Sequence, residues 1–150
     1  MSRKNLRAQM RIRVYFEDTD CGQIVYHTNY IKYCERARSE LFFSQNILPF
    51  GENCGFVLSS LNAKFIIPAR LGDLLEVRSR VIKIRQSSLL IEQQIYRIHS
   101  AIDGSSEEIL IFSMEALLAF IDTRLQKPLK IPSHFLKILK LLAINQNKLE

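Results

Sequence analysis

Between Tyr15 and Gln45 the chain gathers in one contiguous stretch the side chains best suited to chemistry: YFEDTDCGQIVYHTNYIKYCERARSELFFSQ. Glu17, Asp18 and Asp20 bunch in an acidic turn, Cys21 and Gly22 follow, and His27 stands where a helical pattern begins. A helix start offers unpaired N–H groups and the positive end of a dipole, which suits a developing oxyanion. The carboxylates lie seven to ten residues upstream of His27, on a loop that can fold back over it. An acid or nucleophile beside an oxyanion site is the plan of an acyl-transfer centre.

The elements that must position these groups follow from periodicity. Met10 to Phe16 alternates, with Met10, Ile12, Val14 and Phe16 on one side, and reads as a half-buried strand. From Tyr30 on, apolar or weakly polar residues at 30, 33, 34, 37 and 41 share one helix face, opposite Lys32, Glu35, Arg36, Ser39 and Glu40. Thr28 or Asn29 is expected to supply the N-cap oxygen, and Pro49 with Gly51 closes the helical region. Leu41, Phe42 and Phe43 in a row imply a helix wrapped by other elements. Gly22 is expected to take the positive φ of a sharp turn.

Strands are expected next at Phe56–Ile67, at Leu74–Arg85 with Glu76, Arg78 and Arg80 opposite Leu75, Val77, Ser79 and Val81, at Ser88–Ile98, and at Glu108–Ile121. The last is apolar on both phases, as in a central strand covered on both faces. Asp103-Gly104 marks a turn. An amphipathic helix follows Pro132, at about 132–144, and residues 1–9 and NQNKLE read as unstructured ends. One strand, one helix and then four strands imply an α+β domain, with a mostly antiparallel sheet of about five strands around a long central helix.

A length of 150 residues bounds this to a single domain. Three cysteines without CxxC spacing indicate neither a disulfide framework nor a zinc site, and a reducing cytoplasm fits. The basic N-terminus lacks the apolar core of a signal peptide. The longest apolar run, Ile109 to Ile121, is too short to span a bilayer. A net charge of +6 serves solubility, or attracts an anionic ligand or membrane surface; no nucleic-acid motif accompanies it.

The segment EDTDCGQIVYHTNYIKYCERAR, with the block PARLGD at 68–73, resembles the signature of the 4-hydroxybenzoyl-CoA thioesterase branch of the hotdog fold. It is most similar to the tol-pal-associated acyl-CoA thioesterases, the YbgC-like group. The resemblance covers roughly residues 10 to 125. It implies hydrolysis of an acyl-CoA thioester without metal or cofactor, in a homo-oligomer whose sheets pair edge to edge into dimers and whose dimers pair into tetramers. Asp20 matches the family's catalytic carboxylate, nucleophile or general base. The competing reading of Asp20 is a turn or helix cap. His27 falls where the family places the oxyanion-binding amide, and its imidazole could also donate a proton or orient water.

Asp18 is expected to bond loop amides, and Glu17 to be a solvated charge. Tyr15 could hydrogen-bond Asp20 or the substrate, or simply pack. Ser60 and Asn62 lie on the strand that the family places near the second subunit's site. Asp73 is expected to shape a turn. Arg70, with Lys64, Lys83 and Arg85, could meet coenzyme A phosphates. Cys21 has no histidine partner in the family pattern, and Tyr30, Tyr33 and Cys34 read as helix core.

Two other functions fit the same residues. A 3-hydroxyacyl thioester dehydratase would use His27 with an acidic partner. A weakly active partner of acyl carrier protein or of envelope-lipid enzymes would bind protein instead.

Overall fold

The alternation that starts at Met10 breaks at Tyr15. In the structure, a computed structural model describing residues 9–147 (the side chains of 144–147 excepted), the first strand β1 is Gln9–Arg13, followed by a 3-10 turn at Phe16–Asp18. Ile12 and Val14 are buried as the pattern requires, but Phe16 is 80% exposed. The Asp18 carboxylate takes the Tyr15 amide and curls the chain off the strand direction before Phe16 can turn inward. The expectation for residues 1–8 lies outside the described residues.

Helix α1, His27–Phe43, buries Tyr30, Tyr33, Cys34, Ala37, Leu41 and Phe42, the face expected from the spacing; Phe43 turns outward. Strands β2 (Phe50–Gly51), β3 (Cys54–Phe65), β4 (Leu74–Ile84), β5 (Ser88–His99), β6 (Ile109–Asp122) and β7 (Lys127–Pro128) follow. Helix α2, Ser133–Asn147, ends the described chain and runs into the stretch expected to be unstructured; the last three residues lie outside the description.

The sheet is antiparallel throughout, in the order β1-β4-β5-β6-β3-β2, with β7 on the end of β6. Five of its strands have five residues or more, and β2 and β7 have two each. Both helices lie on one face. The Phe135 ring of α2 packs against Phe42 of α1, Phe56 of β3 and Phe120 of β6, at centroid distances of 5.3, 6.1 and 5.7 Å.

On β4, Leu75, Val77, Ser79 and Val81 point into the core as expected, but Glu76 on the outer face is buried too. Arg11 and Arg78 close over its carboxylate at 3.3 and 2.7 Å, Arg78 reaches on to Glu108 at 3.0 Å, and its guanidinium lies 4.0 Å from the Tyr96 ring centroid. Strand β6 is central, between β5 and β3, yet its two phases are unequally buried: on the odd-numbered one Ile111 is buried, Glu115 is exposed, and Ser113, Leu117 and Ala119 are half-buried. The outer face is therefore polar in part.

The apolar surface left open lies at the edge. Beyond Cys54 and Gly55, which pair with β2, β3 has no strand on its outer side among the described residues. Val57, Leu58 and Phe65 on that strand, and Ile66 and Ile67 after it, are 38–53% exposed.

Candidate active site

The acidic turn folds into a small hairpin set against the start of α1. The Asp20 amide donates to the Ile24 oxygen at 2.9 Å, the Gln23 amide returns to the Asp20 oxygen at 3.0 Å, and Thr19 faces Val25 in an antiparallel bridge. The left-handed residue of this turn is Gln23 (φ 63°), not Gly22 as expected. Gly22 contributes through its backbone and its small size instead. Its N–H donates to Asp20 Oδ1 at 2.8 Å, and a Cβ there would meet the same oxygen at 3.2 Å.

Two donors tie this hairpin to the helix. The Tyr26 amide and the Asn29 Nδ2 both donate to the Asp18 backbone oxygen, at 2.9 and 2.8 Å. Asn29 and Thr28 were the expected N-caps. Instead α1 begins at His27, Tyr26 is the N-cap residue, and no side chain caps it. The His27 and Thr28 amides precede the first helical acceptor, and no other acceptor among the described residues takes their place. Asp18 does as expected: its carboxylate receives the Tyr15 amide at 2.9 Å. Glu17 is exposed.

The PARLGD block forms the second wall. The Val25 amide donates to the Ala69 oxygen, the Ala69 amide donates to the Tyr30 hydroxyl, both at 2.9 Å, and Ile24 bridges Arg70. Asp73 is fully buried and shapes the turn, accepting the Arg70 amide at 2.9 Å and the Ala101 amide at 3.1 Å.

Charge at the site follows from these contacts. Burial raises the Tyr30 pKa, and the charges of Asp73 and Asp20 add to it against the Ala69 amide. Asp20 is thus felt at a hydroxyl in the first turn of α1. Among the described residues the buried Tyr33 hydroxyl has no partner in hydrogen-bond geometry, but Asp18 lies near enough to add to burial in raising its pKa. Burial pushes the Cys34 thiol up to about 12, which makes it inert at neutral pH. Cys21 is an exposed free thiol.

His27 is exposed beside a cavity of about 310 Å³ whose walls include Ile24, Tyr30, Phe65 and Ile66. Its ring stands edge-on to Phe65 at 6.3 Å and beside Tyr26 at 4.5 Å. Asp20 is exposed on the hairpin next to this cavity, and no hydrogen bond joins its side chain to that of His27. An exposed carboxylate, two unpaired amides and an apolar hollow can together receive a carbonyl, polarise it and attack it.

The remaining expected site residues divide. Arg70 is exposed and adjoins the hairpin. Tyr15 is 63% exposed at the head of the 3-10 turn rather than packed on a strand. Ser60 and Asn62 are exposed on the free edge of β3, five and three residues before Phe65. That is about 16 and 10 Å along a strand, so one chain does not bring them to the hairpin. Lys64 is exposed near the site end of β3, whereas Lys83 and Arg85 are exposed at the far end of β4. Two positioning groups were not expected: the Tyr30 hydroxyl, read as core, and the Asn29 amide, read as a cap.

The family model described as the thioesterase superfamily matches residues 22–101. An acyl-CoA thioesterase YbgC from Helicobacter pylori is 43% identical over 130 residues, which are 87% of this chain and 98% of that protein. An acyl-CoA thioester hydrolase YbgC from Escherichia coli is 35% identical over 125 residues, 81% of this chain and 87% of that one. Among solved structures, a 1,4-dihydroxy-2-naphthoyl-CoA thioesterase from Synechocystis superposes with a TM-score of 0.74 at 18% identity, over 88% of this chain and 94% of the other. That last likeness is one of fold.

Proposed function

The chain belongs to the thioesterase superfamily, and we propose that it hydrolyses acyl-CoA thioesters with Asp20 as the reacting carboxylate. The observation that carries this reading is the placement of an exposed Asp20 on a hairpin tied to a helix start whose His27 and Thr28 amides have no acceptor. The thioester carbonyl would lie against those amides, which stabilise the charge that develops on its oxygen. Asp20 either attacks the carbonyl carbon or takes a proton from the attacking water. Along either route the C–S bond breaks, water supplies the oxygen of the free acid, and the coenzyme A sulfur leaves as a thiol. The His27 amide acts from the backbone, so that role does not depend on the imidazole.

The reacting species is an oligomer paired through β3. A long edge strand with a free outer side and exposed Val57, Leu58 and Phe65 invites pairing with another strand. A second copy in antiparallel register would set its Phe56–Leu58 end beside this chain's Phe65, at the cavity next to His27. Arg70, beside Ile24, is placed to meet the phosphates of coenzyme A. Three free cysteines suit a cytoplasmic setting. Among the described residues no helix is long and apolar enough to cross a membrane.

A thiol-release assay across short, long and aromatic acyl-CoAs tests the reading. Turnover of at least one class is expected. An enoyl product without free thiol would instead mark a dehydratase. Weak turnover of every class with saturable binding of acyl carrier protein would mark a partner protein.

A further inference from the structure

A second and larger hollow, about 770 Å³, opens under the later turns of α1. Ile31, Phe42, Phe56, Leu58, Ile91 and Leu118 give it mostly apolar walls. Lys32, Glu35 and Arg38 bring charge to its rim, and of the three only Arg38 is drawn in from solvent. Arg38 is half-buried, and its NH1 donates to Gln93 Oε1 at 2.9 Å. Gln93 is fully buried, and its amide nitrogen donates to the Cys34 oxygen at 2.8 Å and to Ser79 Oγ at 3.0 Å. The amide cannot turn over without losing those acceptors, so its oxygen is fixed on Arg38.

That oxygen is neutral. Among the described residues no carboxylate lies within ion-pairing distance of Arg38; Glu35, one turn earlier, accepts from Ser39 at 2.7 Å instead. Burial draws the Arg38 pKa below its ordinary value, with only partial opposition from Cys34 and Glu35. A guanidinium stays charged at neutral pH and carries five N–H donors, of which one is used here. Cations drawn out of water are as a rule paired. This one is held at the wall of a mostly apolar hollow by a neutral oxygen, while Glu35 on the same wall accepts from Ser39.

We propose that this hollow takes the acyl chain of the thioester and that Arg38 receives a carboxylate at the chain's far end, so that the preferred substrates are acyl-CoAs with a terminal carboxyl group. The inference rests on the acyl-CoA reading and on pairing through β3. Two β3 strands related by a two-fold axis near mid-strand set Phe56–Leu58 of one copy opposite Ala63–Phe65 of the other. The hollow of one copy then adjoins the His27 cavity of its partner, since Phe65 lines that cavity and Phe56 and Leu58 line the hollow. Its volume is in the range of pockets that enclose small organic ligands, about 300–1,000 Å³. A carboxylate meets a guanidinium through two parallel charge-assisted hydrogen bonds.

The test compares acyl-CoAs of equal carbon number ending in a methyl, a carboxylate or a neutral carboxamide, over a series of lengths, with kcat and KM read separately. At the length that reaches Arg38, the carboxylate should lower KM at least tenfold relative to the methyl, and the carboxamide should lose most of that gain. Arg38→Met should collapse the preference, and Arg38→Lys, which keeps the charge without the planar fork, should hold part of it. The carboxamide comparison needs no variant and stands even if both substitutions unfold the protein. Turnover of methyl-ended chains with no carboxylate preference at any length overturns this inference alone, as does a preference that survives Arg38→Met. Tight binding of free dicarboxylic acids without turnover of their thioesters would also overturn it, marking a site for free acids. Release of thiol from none of the substrates would overturn it together with the thioesterase reading.

Discussion

Asn29 Nδ2 donates to the backbone oxygen of Asp18 at 2.8 Å and so fastens the acidic hairpin to the first turn of α1. Asn29→Ala removes one neutral hydrogen bond, worth about 0.5–1.5 kcal/mol of stability. If the bond holds Asp20 in register with the helix amides, kcat should fall roughly ten- to a hundredfold with little change in KM, the range expected for a small misplacement of a reacting group. A lowered melting temperature with normal kcat would reduce the bond to a structural tie.

Among the described residues the buried Tyr33 hydroxyl has no partner in hydrogen-bond geometry. Its pKa is raised in the folded state, first by burial and then by Asp18. The stability linked to that group is therefore complete below the unfolded tyrosine pKa of about 10, and is lost as pH climbs toward the folded value. Tyr33→Phe should leave the melting temperature at pH 7 unchanged or higher, and should make the alkaline loss shallower. A drop of several degrees at pH 7 would mean that the hydroxyl donates to Asp18 after all.

What the sequence made legible was local. The spacing of Tyr30, Tyr33, Cys34, Ala37 and Leu41 gave the buried face of α1, because helical period and burial act over a few residues. Asp18 and Asp73 could be read as turn-shaping because their acceptors serve amides three residues away. The bond from Ala69 to Tyr30 Oη spans 39 residues and follows no local period, so Tyr30 read only as core. Phe16 misled in the opposite way, since alternation carries no sign that the Asp18 carboxylate will end the strand. Glu76 is buried between Arg78, two residues on along the same strand, and Arg11, which sheet register brings from β1; only the second contact lies beyond local reading. Ser60 and Asn62 were placed by the resemblance beside a second copy's site, which no single chain displays.

Charge capture is testable through salt. Phosphates remote from the breaking bond bind ground and transition states about equally, so salt should raise KM and leave kcat nearly constant. The Debye length shrinks from about 10 Å at 0.1 M to roughly 3 Å at 1 M. Acyl-pantetheine substrates lack those phosphates and should respond less. Arg70→Ala should mimic high salt, because Arg70 adjoins the hairpin. Arg85→Ala should not, because Arg85 lies past the opposite end of β4. Equal salt responses of full and truncated thioesters would assign the net charge of +6 to solubility or another partner.

The free edge of β3 predicts association. Sedimentation at micromolar concentration should show a dimer or tetramer, and Val57→Lys with Leu58→Lys should give monomers, since charged edges repel strand addition. Those monomers should lose turnover, their sites lacking the second copy. A monodisperse wild-type monomer with full activity would contradict both the pairing and the composite site.

The central claim is that Asp20 does the chemistry, and Asp20→Asn tests it most directly because the change keeps shape and removes charge. Its side-chain oxygen can still accept the Gly22 amide that Asp20 Oδ1 receives at 2.8 Å, so the hairpin should persist. The measurement is steady-state thiol release by the purified, folded variant on the best acyl-CoA of the wild type. The account predicts that kcat falls roughly a hundred- to ten-thousandfold while KM holds. A near-normal kcat would contradict it, and the reacting group would then have to be sought elsewhere, beginning with the exposed Cys21 beside it.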